Sequence, residues 1–169
     1  SPLKKSVPTK IDDSLVPESI KILKKENSVL FIGGKFLTEE CIKLAGNISS
    51  ATGCRIVTDT FVSRIRRGAG LPMVEQVPYF SEMAEEFLKN TSGVIFIGSK
   101  PPVSFFAYPN KKSYLLPDET KIVNLCSPEQ DGFLALQALS DECGILAINK
   151  KLIQNGIIEI PKTGKLDPI

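Results

Sequence analysis

The stretch Gly93 to Pro109, G-V-I-F-I-G-S-K-P-P-V-S-F-F-A-Y-P, is an apolar run that ends on a glycine and opens into an aromatic loop stiffened by prolines. Val94, Ile95, Phe96 and Ile97 do not alternate with polar residues, so a strand here must be covered on both faces. A parallel sheet between two helix layers provides that cover, and ligands of such sheets bind at the carboxyl ends of the strands. Gly98, Ser99 and Lys100 therefore fall where binding chemistry is found. Pro101 and Pro102 exclude a helix and hold Phe105, Phe106 and Tyr108 in an extended segment.

Outward from this strand, apolar runs and helical stripes alternate. Val29–Ile32 and Arg55–Thr58 read as strands, Val74–Val77 as a short edge strand, and Lys121–Leu125 as a further strand. Asp12–Lys25 carries Leu15, Val16, Ser19, Ile20 and Leu23 on one helical face. Thr38 caps a helix with Cys41, Ile42, Leu44, Ala45 and Ile48 as its stripe, and Gly53 follows its end. Phe80, Met83, Ala84, Phe87 and Leu88 give the clearest helical face. Pro128, at a first helical turn, leads into Gly132–Ser140 with Phe133, Leu136 and Leu139 as its apolar positions. A succession of βα units means a doubly wound α/β sheet with right-handed crossovers.

A chain of 169 residues forms one domain with a sizeable core. Its 42% hydrophobic and 24% charged content is that of a soluble globular protein. With 21 basic and 19 acidic side chains the net charge is +2, too small to argue for nucleic acid or a membrane surface. No run approaches the roughly 20 apolar residues that span a bilayer, and a cytoplasmic protein is expected. Cys41, Cys54, Cys126 and Cys143 lack the close pairs of zinc or redox sites and read as buried thiols. Histidine is absent, which removes the Ser-His and Cys-His pairs and the commonest general base, so no catalytic residue is assigned. Ser1–Lys10 and the stretch from Lys150 to Ile169 have connector composition, so residues 11–149 are expected to be one domain of a longer polypeptide.

The candidate binding residues are Gly33, Gly34, Arg64, Gly98, Ser99 and Lys100. Gly33-Gly34 after a strand suits either a phosphate on backbone N–H groups or a plain tight turn, since the full G-x-G-x-x-G spacing is missing. Arg64, Arg66 and Arg67 suit an anion clamp, a solvated loop or contacts to a neighbouring domain. The aromatic loop suits packing on its own sheet edge, burial against another domain or subunit, or the wall of a pocket.

The segments L-F-I-G-G-K (residues 30–35), T-D-T-F-V-S-R-I-R-R-G-A-G-L-P (58–72), V-E-Q-V-P-Y-F (74–80) and I-F-I-G-S-K-P-P-V-S-F-F-A-Y-P (95–109) stand in a telling order and spacing. Together they resemble the central domain of thiamine-diphosphate-dependent enzymes, in the branch similar to acetolactate synthase large subunits, over Asp12 to Glu142. The resemblance implies a Rossmann-like, mainly parallel six-stranded sheet with helices on both faces. It also implies that thiamine diphosphate and magnesium are held by other domains of the parent, a lyase or transferase acting on 2-keto acids, whose Gly-Asp-Gly metal motif this chain lacks. The expected partners are the other domains and subunits of a homo-oligomer, with no nucleic acid and no membrane.

In such enzymes the central domain holds FAD, ADP or an acyl-CoA. By position, flavin contacts would fall near Gly33-Gly34, the loop after Thr60, Met73–Pro78 and Gly98–Lys100. Here V-E-Q-V-P-Y stands where the resemblance calls for a glycine- and histidine-containing segment. S-K-P-P-V stands where it calls for an arginine and paired aspartates. The expectation is a domain with an architectural and subunit-contact role. Its alternative is a self-sufficient nucleotide-binding module for FAD, ADP or NAD.

Overall fold

The computed structural model describes residues 9–105 and 113–144. Five strands, β1 (Ser28–Ile32), β2 (Arg55–Thr58), β3 (Glu75–Gln76), β4 (Gly93–Ile97) and β5 (Lys121–Cys126), form one sheet in the order β3-β2-β1-β4-β5. Every pairing is parallel. The sheet is thus doubly wound as expected, with five strands among the described residues where six were expected. β1 and β4 are its centre, and all five residues of each are buried, which is why neither alternates.

The two faces are packed unequally. Helices α1 (Val16–Leu23), α2 (Glu39–Thr52) and α4 (Gly132–Glu142) cover one, burying Leu30, Ile32, Ile56, Ile95, Ile97 and Leu125. On the other face Val29, Phe31, Val57, Val94 and Phe96 pack under α3 (Ser81–Leu88) and the segment Leu115-Leu116. Phe31 and Phe96 pack against each other across the β1–β4 pair with centroids 5.1 Å apart and the rings tilted by 43°. Beyond Leu116 this second face opens, so that Ile122 and Asn124 of β5, in register with Val94 and Phe96, are exposed.

Local chemistry fixes the helix ends. Thr38 Oγ1 accepts from the Cys41 N–H at 3.4 Å, and Gly53 closes α2 in the left-handed region at φ 80°, where a side chain would be strained. The helix expected over Asp12–Lys25 is divided into a 3-10 turn, Asp13–Leu15, and α1, because Pro17 has no N–H to continue the ladder. α4 begins later than Pro128 suggests. Asp131 caps it, accepting from the Phe133 and Leu134 N–H groups at 3.0 and 3.2 Å.

The α3 stripe is a correction. Ala84 and Leu88 are buried, but Phe80 and Met83 are 60% and 58% exposed. Ser81, Ala84 and Leu88 form the buried line instead. Small residues let the helix approach the phenylalanine-rich face of the sheet closely, and this close approach overrides the larger apolar stripe. The expected connectors over residues 1–10 and 150–169 lie outside the described residues, except for Thr9 and Lys10. Thr9 bridges to Gln130, whose Nε2 donates to the Lys10 carbonyl at 2.8 Å.

Candidate functional site

The connections from β1 and β4 leave the sheet in opposite directions, so a crevice is expected between their carboxyl ends. The Gly33 N–H donates to the Ile97 carbonyl at 2.9 Å and the Gly98 N–H to the Cys126 carbonyl at 2.7 Å. These bonds extend the ladder one residue past each strand and draw Gly33, Gly34, Gly98 and Ser99 together. Gly98 has φ 67°, a conformation open to glycine and strained for other residues.

The ring of Phe36 fills the space next to these glycines. A Cβ placed on Gly132 would lie 2.6 Å from its Cγ and Cδ1, and one on Gly98 would overlap the opposite edge of the ring. The 3-10 turn Gly34–Phe36 swings the ring inward, and its exposure is only 6%. Lys35 Nζ stands 5.1 Å from the ring centroid. Both glycines therefore accommodate a phenyl ring by close approach.

A second group narrows the crevice from the β2 side. The Ser99 hydroxyl is within 2.8 Å of Asp59 Oδ2 and 3.0 Å of Oδ1, donating to the carboxylate. A Cβ on Gly33 would stand 2.6 Å from both Asp59 Oδ2 and Ser99 Cβ. Burial holds the Asp59 carboxyl above its ordinary range, opposed by the hydrogen bond from Ser99. A carboxylate beside Gly33 repels any phosphate that would approach that backbone.

Arg64 lies elsewhere on the same edge. The segment after β2 packs Val62 and Ile65 inward, leaving Ser63, Arg64, Arg66 and Arg67 exposed. Arg64, Arg66, Gly34 and Lys35 border an open hollow of about 390 Å³ whose opposite wall is the start of α2, with Glu39 and Glu40. Glu39 is held below its ordinary value first by its bond to Lys43, at 2.6 Å, with a smaller contribution from Arg66. The hollow thus mixes both signs of charge. Lys100 is exposed and does not line it. Of the six residues singled out in the sequence, four meet at the crevice, Gly34 also borders the hollow with Arg64, and Lys100 stands outside.

Phe105 is 57% exposed; Phe106 and Tyr108 lie outside the described residues. Phe105 meets Phe61 edge-on with centroids 4.7 Å apart, and Phe61 meets Tyr79 at 5.7 Å. Tyr79 in turn contacts Phe80 at 5.2 Å. Phe36, Asp59, Gly132 and this ring cluster were not singled out together by the sequence. The available signals were a carboxylate immediately after β2 and adjacent aromatics before α3. Among the described residues there is no group of His, Cys, Asp or Glu arranged to hold a metal ion, and no helix long and apolar enough to cross a membrane.

No family model matches the chain. It is 38% identical over 117 residues to a Mycobacterium tuberculosis protein named "putative acetolactate synthase large subunit", covering 69% of this chain and 22% of that protein. Among solved structures it resembles benzoylformate decarboxylase from Polynucleobacter necessarius with a TM-score of 0.57 and 14% identity, over 83% of this chain and 29% of that one. It also resembles a thiamine diphosphate-dependent 4-hydroxybenzoylformate decarboxylase of Rhodococcus jostii RHA1, with a TM-score of 0.56 and 12% identity, over 86% of this chain and 29% of that one. The chain thus spans less than a third of the length of each.

Proposed function

We propose that this chain, a homologue of part of an acetolactate synthase-like large subunit with the fold of a domain of thiamine-diphosphate-dependent enzymes, is the non-catalytic central domain of such an enzyme. Its role is to set the placement of neighbouring domains and to supply subunit contacts. The parent would be a cytoplasmic lyase or transferase that decarboxylates a 2-keto acid and passes on the resulting carbanion equivalent. Thiamine diphosphate with magnesium supplies the electron sink for that chemistry. As the resemblance implies, the metal's ligands would come from other parts of the parent.

The observation that carries this reading is the Phe36 ring seated against Gly98 and Gly132. FAD, ADP and NAD are disfavoured in this reading, because the Phe36 ring is packed against Gly98 and Gly132 at the switch point and the Asp59 carboxyl stands beside Gly33, where a pyrophosphate would approach the backbone. The self-sufficient nucleotide-binding module is accordingly not favoured.

Two measurements test the proposal. Calorimetry of the 169-residue chain with FAD, ADP, NAD and coenzyme A should show no binding, whereas a Kd below about 10 μM for any of them overturns the architectural role. In the intact parent, thiamine diphosphate and magnesium together should raise the thermal midpoint, by about 2.7 kcal/mol of added stability at 100 times Kd. An intact parent whose midpoint and activity both ignore them would sink the family reading.

A further inference from the structure

We propose that Asp59 and the rings of Phe61, Tyr79 and Phe105 form a binding site for a small quaternary ammonium ion at the carboxyl edge of the sheet. The site goes beyond the architectural role proposed above and does not depend on it.

Asp59 follows β2 directly and is half-buried. Its oxygens accept from the Ser99 hydroxyl, but no cation among the described residues pairs with it: the ion pairs there join Lys43 to Glu39, Arg55 to Glu75 and Lys89 to Glu86. The cost of burying its charge is thus opposed by hydrogen bonds and not by a counter-charge. A cation that reaches this carboxylate gains an attraction that no described side chain supplies. No group of His, Cys, Asp or Glu among the described residues could hold a metal ion, so the cation is one that needs no set of ligands.

The neighbouring rings select the kind of cation. Phe61 stands two positions after Asp59, so their Cα atoms are within about 7 Å of each other. Thr60, between them, donates from Oγ1 to the Pro78 carbonyl at 3.5 Å, which brings Tyr79 to the same place. Ser99, held on Asp59, opens the connection that carries Phe105. The three rings close a triangle, with centroids 5.7 Å apart for Phe61 and Tyr79, 4.7 Å for Phe61 and Phe105, and 6.0 Å for Tyr79 and Phe105. Phe61 stands at 73° and 84° to the other two, so ring faces look in more than one direction, and Phe61, Phe105 and Tyr79 are 60%, 57% and 42% exposed. Ring faces carry negative potential and attract a cation within about 6 Å of their centroids. A quaternary ammonium ion packs its methyl groups on such faces, whereas a primary ammonium or a small metal ion holds its water tightly.

Calorimetry of the 169-residue chain with choline chloride at constant ionic strength should give a Kd below about 5 mM. The neutral analogue of choline, with a tert-butyl group in place of trimethylammonium, should bind at least about tenfold more weakly. Phosphocholine, which adds the phosphate of a lipid headgroup, should also bind more weakly, because Asp59 repels it. Asp59→Asn keeps an acceptor for Ser99 and removes the charge; it should weaken choline binding at least about tenfold, and Phe61→Leu at least about threefold. The thermal midpoints of both variants should match or exceed that of the unsubstituted chain. The proposal is overturned by a Kd for choline above about 5 mM, by a neutral analogue that binds as well, by phosphocholine that binds more tightly, or by choline binding unchanged in either variant. A chain that ignores choline as well as FAD, ADP, NAD and coenzyme A loses this site and keeps the domain assignment.

Discussion

Arg55 grips Glu75 through two parallel hydrogen bonds, Nε to Oε1 at 2.9 Å and Nη2 to Oε2 at 2.8 Å. Its Nη1 also donates to the Phe87 carbonyl at 3.1 Å, and the guanidinium lies 4.2 Å from the Phe87 ring centroid. One side chain of β2 thus ties down β3, only two residues long, and the helix that follows it. Lysine keeps the charge but loses the fork and the stacking. With about a third of each side chain exposed, solvent screening limits the cost. Arg55→Lys should lower stability by about 1 kcal/mol in urea titration, and Glu75→Gln should add little to it in the double variant. Full additivity of the two would show that the pair does not act as a unit.

Gly98→Ala combines a left-handed backbone with a methyl group driven into the Phe36 ring. Strain and overpacking together should remove about 2–4 kcal/mol. In a Phe36→Leu background the steric part should shrink while the backbone part persists, so the double-variant cycle should show favourable coupling between the two changes. Equal cost in both backgrounds would mean that the ring is not the obstacle.

The folded-state value of Asp59 lies above the ordinary 3.8 because burial disfavours its charge. Within the window from 3.8 up to that raised value the native state binds more protons than the unfolded chain, so stability falls as pH rises through it. The penalty is absent at lower pH and complete at neutrality. Asp59→Asn keeps an acceptor for Ser99 and has no charge to bury. Its urea midpoint at pH 7 should match or exceed that of the parent chain, with a flatter profile as pH rises above 3.8. A large loss at pH 7 would show that the ionised form is needed.

Burial pushes the thiols of Cys54 and Cys126 up to about 11 and raises that of Cys41. Since the thiolate is the nucleophile, Cys54 and Cys126 should react with a disulfide reagent at pH 8 at least about 100-fold more slowly than a free cysteine, and Cys41 should be slowed as well. Cys143, half-buried at the end of α4, should react first. All four should react at once in guanidinium. Rapid native modification of more than one would contradict the packing.

Much of the architecture was legible because single residues carry their own conformational preferences. Thr38 and Gly53 mark the two ends of α2, and the unbroken run Val94–Ile97 requires two covered faces. Val74–Val77 gave an edge strand realised as Glu75–Gln76. The α3 face was not legible. Its two overlapping apolar stripes differ little in direction, and the choice between them is made by a sheet surface assembled from distant segments. The crevice was legible in its location and not in its contents. Gly98 and Gly132 are 34 positions apart, and only the finished sheet brings both against Phe36.

The seating of Phe36 also has an evolutionary consequence. Replacing a large aromatic core side chain by alanine costs about 3–5 kcal/mol, a sizeable part of the 5–15 kcal/mol that keeps a typical domain folded. A lineage gaining a nucleotide here would have to lose the ring before gaining the ligand, and pass through a form with neither. Asp59 would then have to be replaced as well. The ring thus guards the crevice: opening it to such a ligand is a multi-step path through less stable proteins.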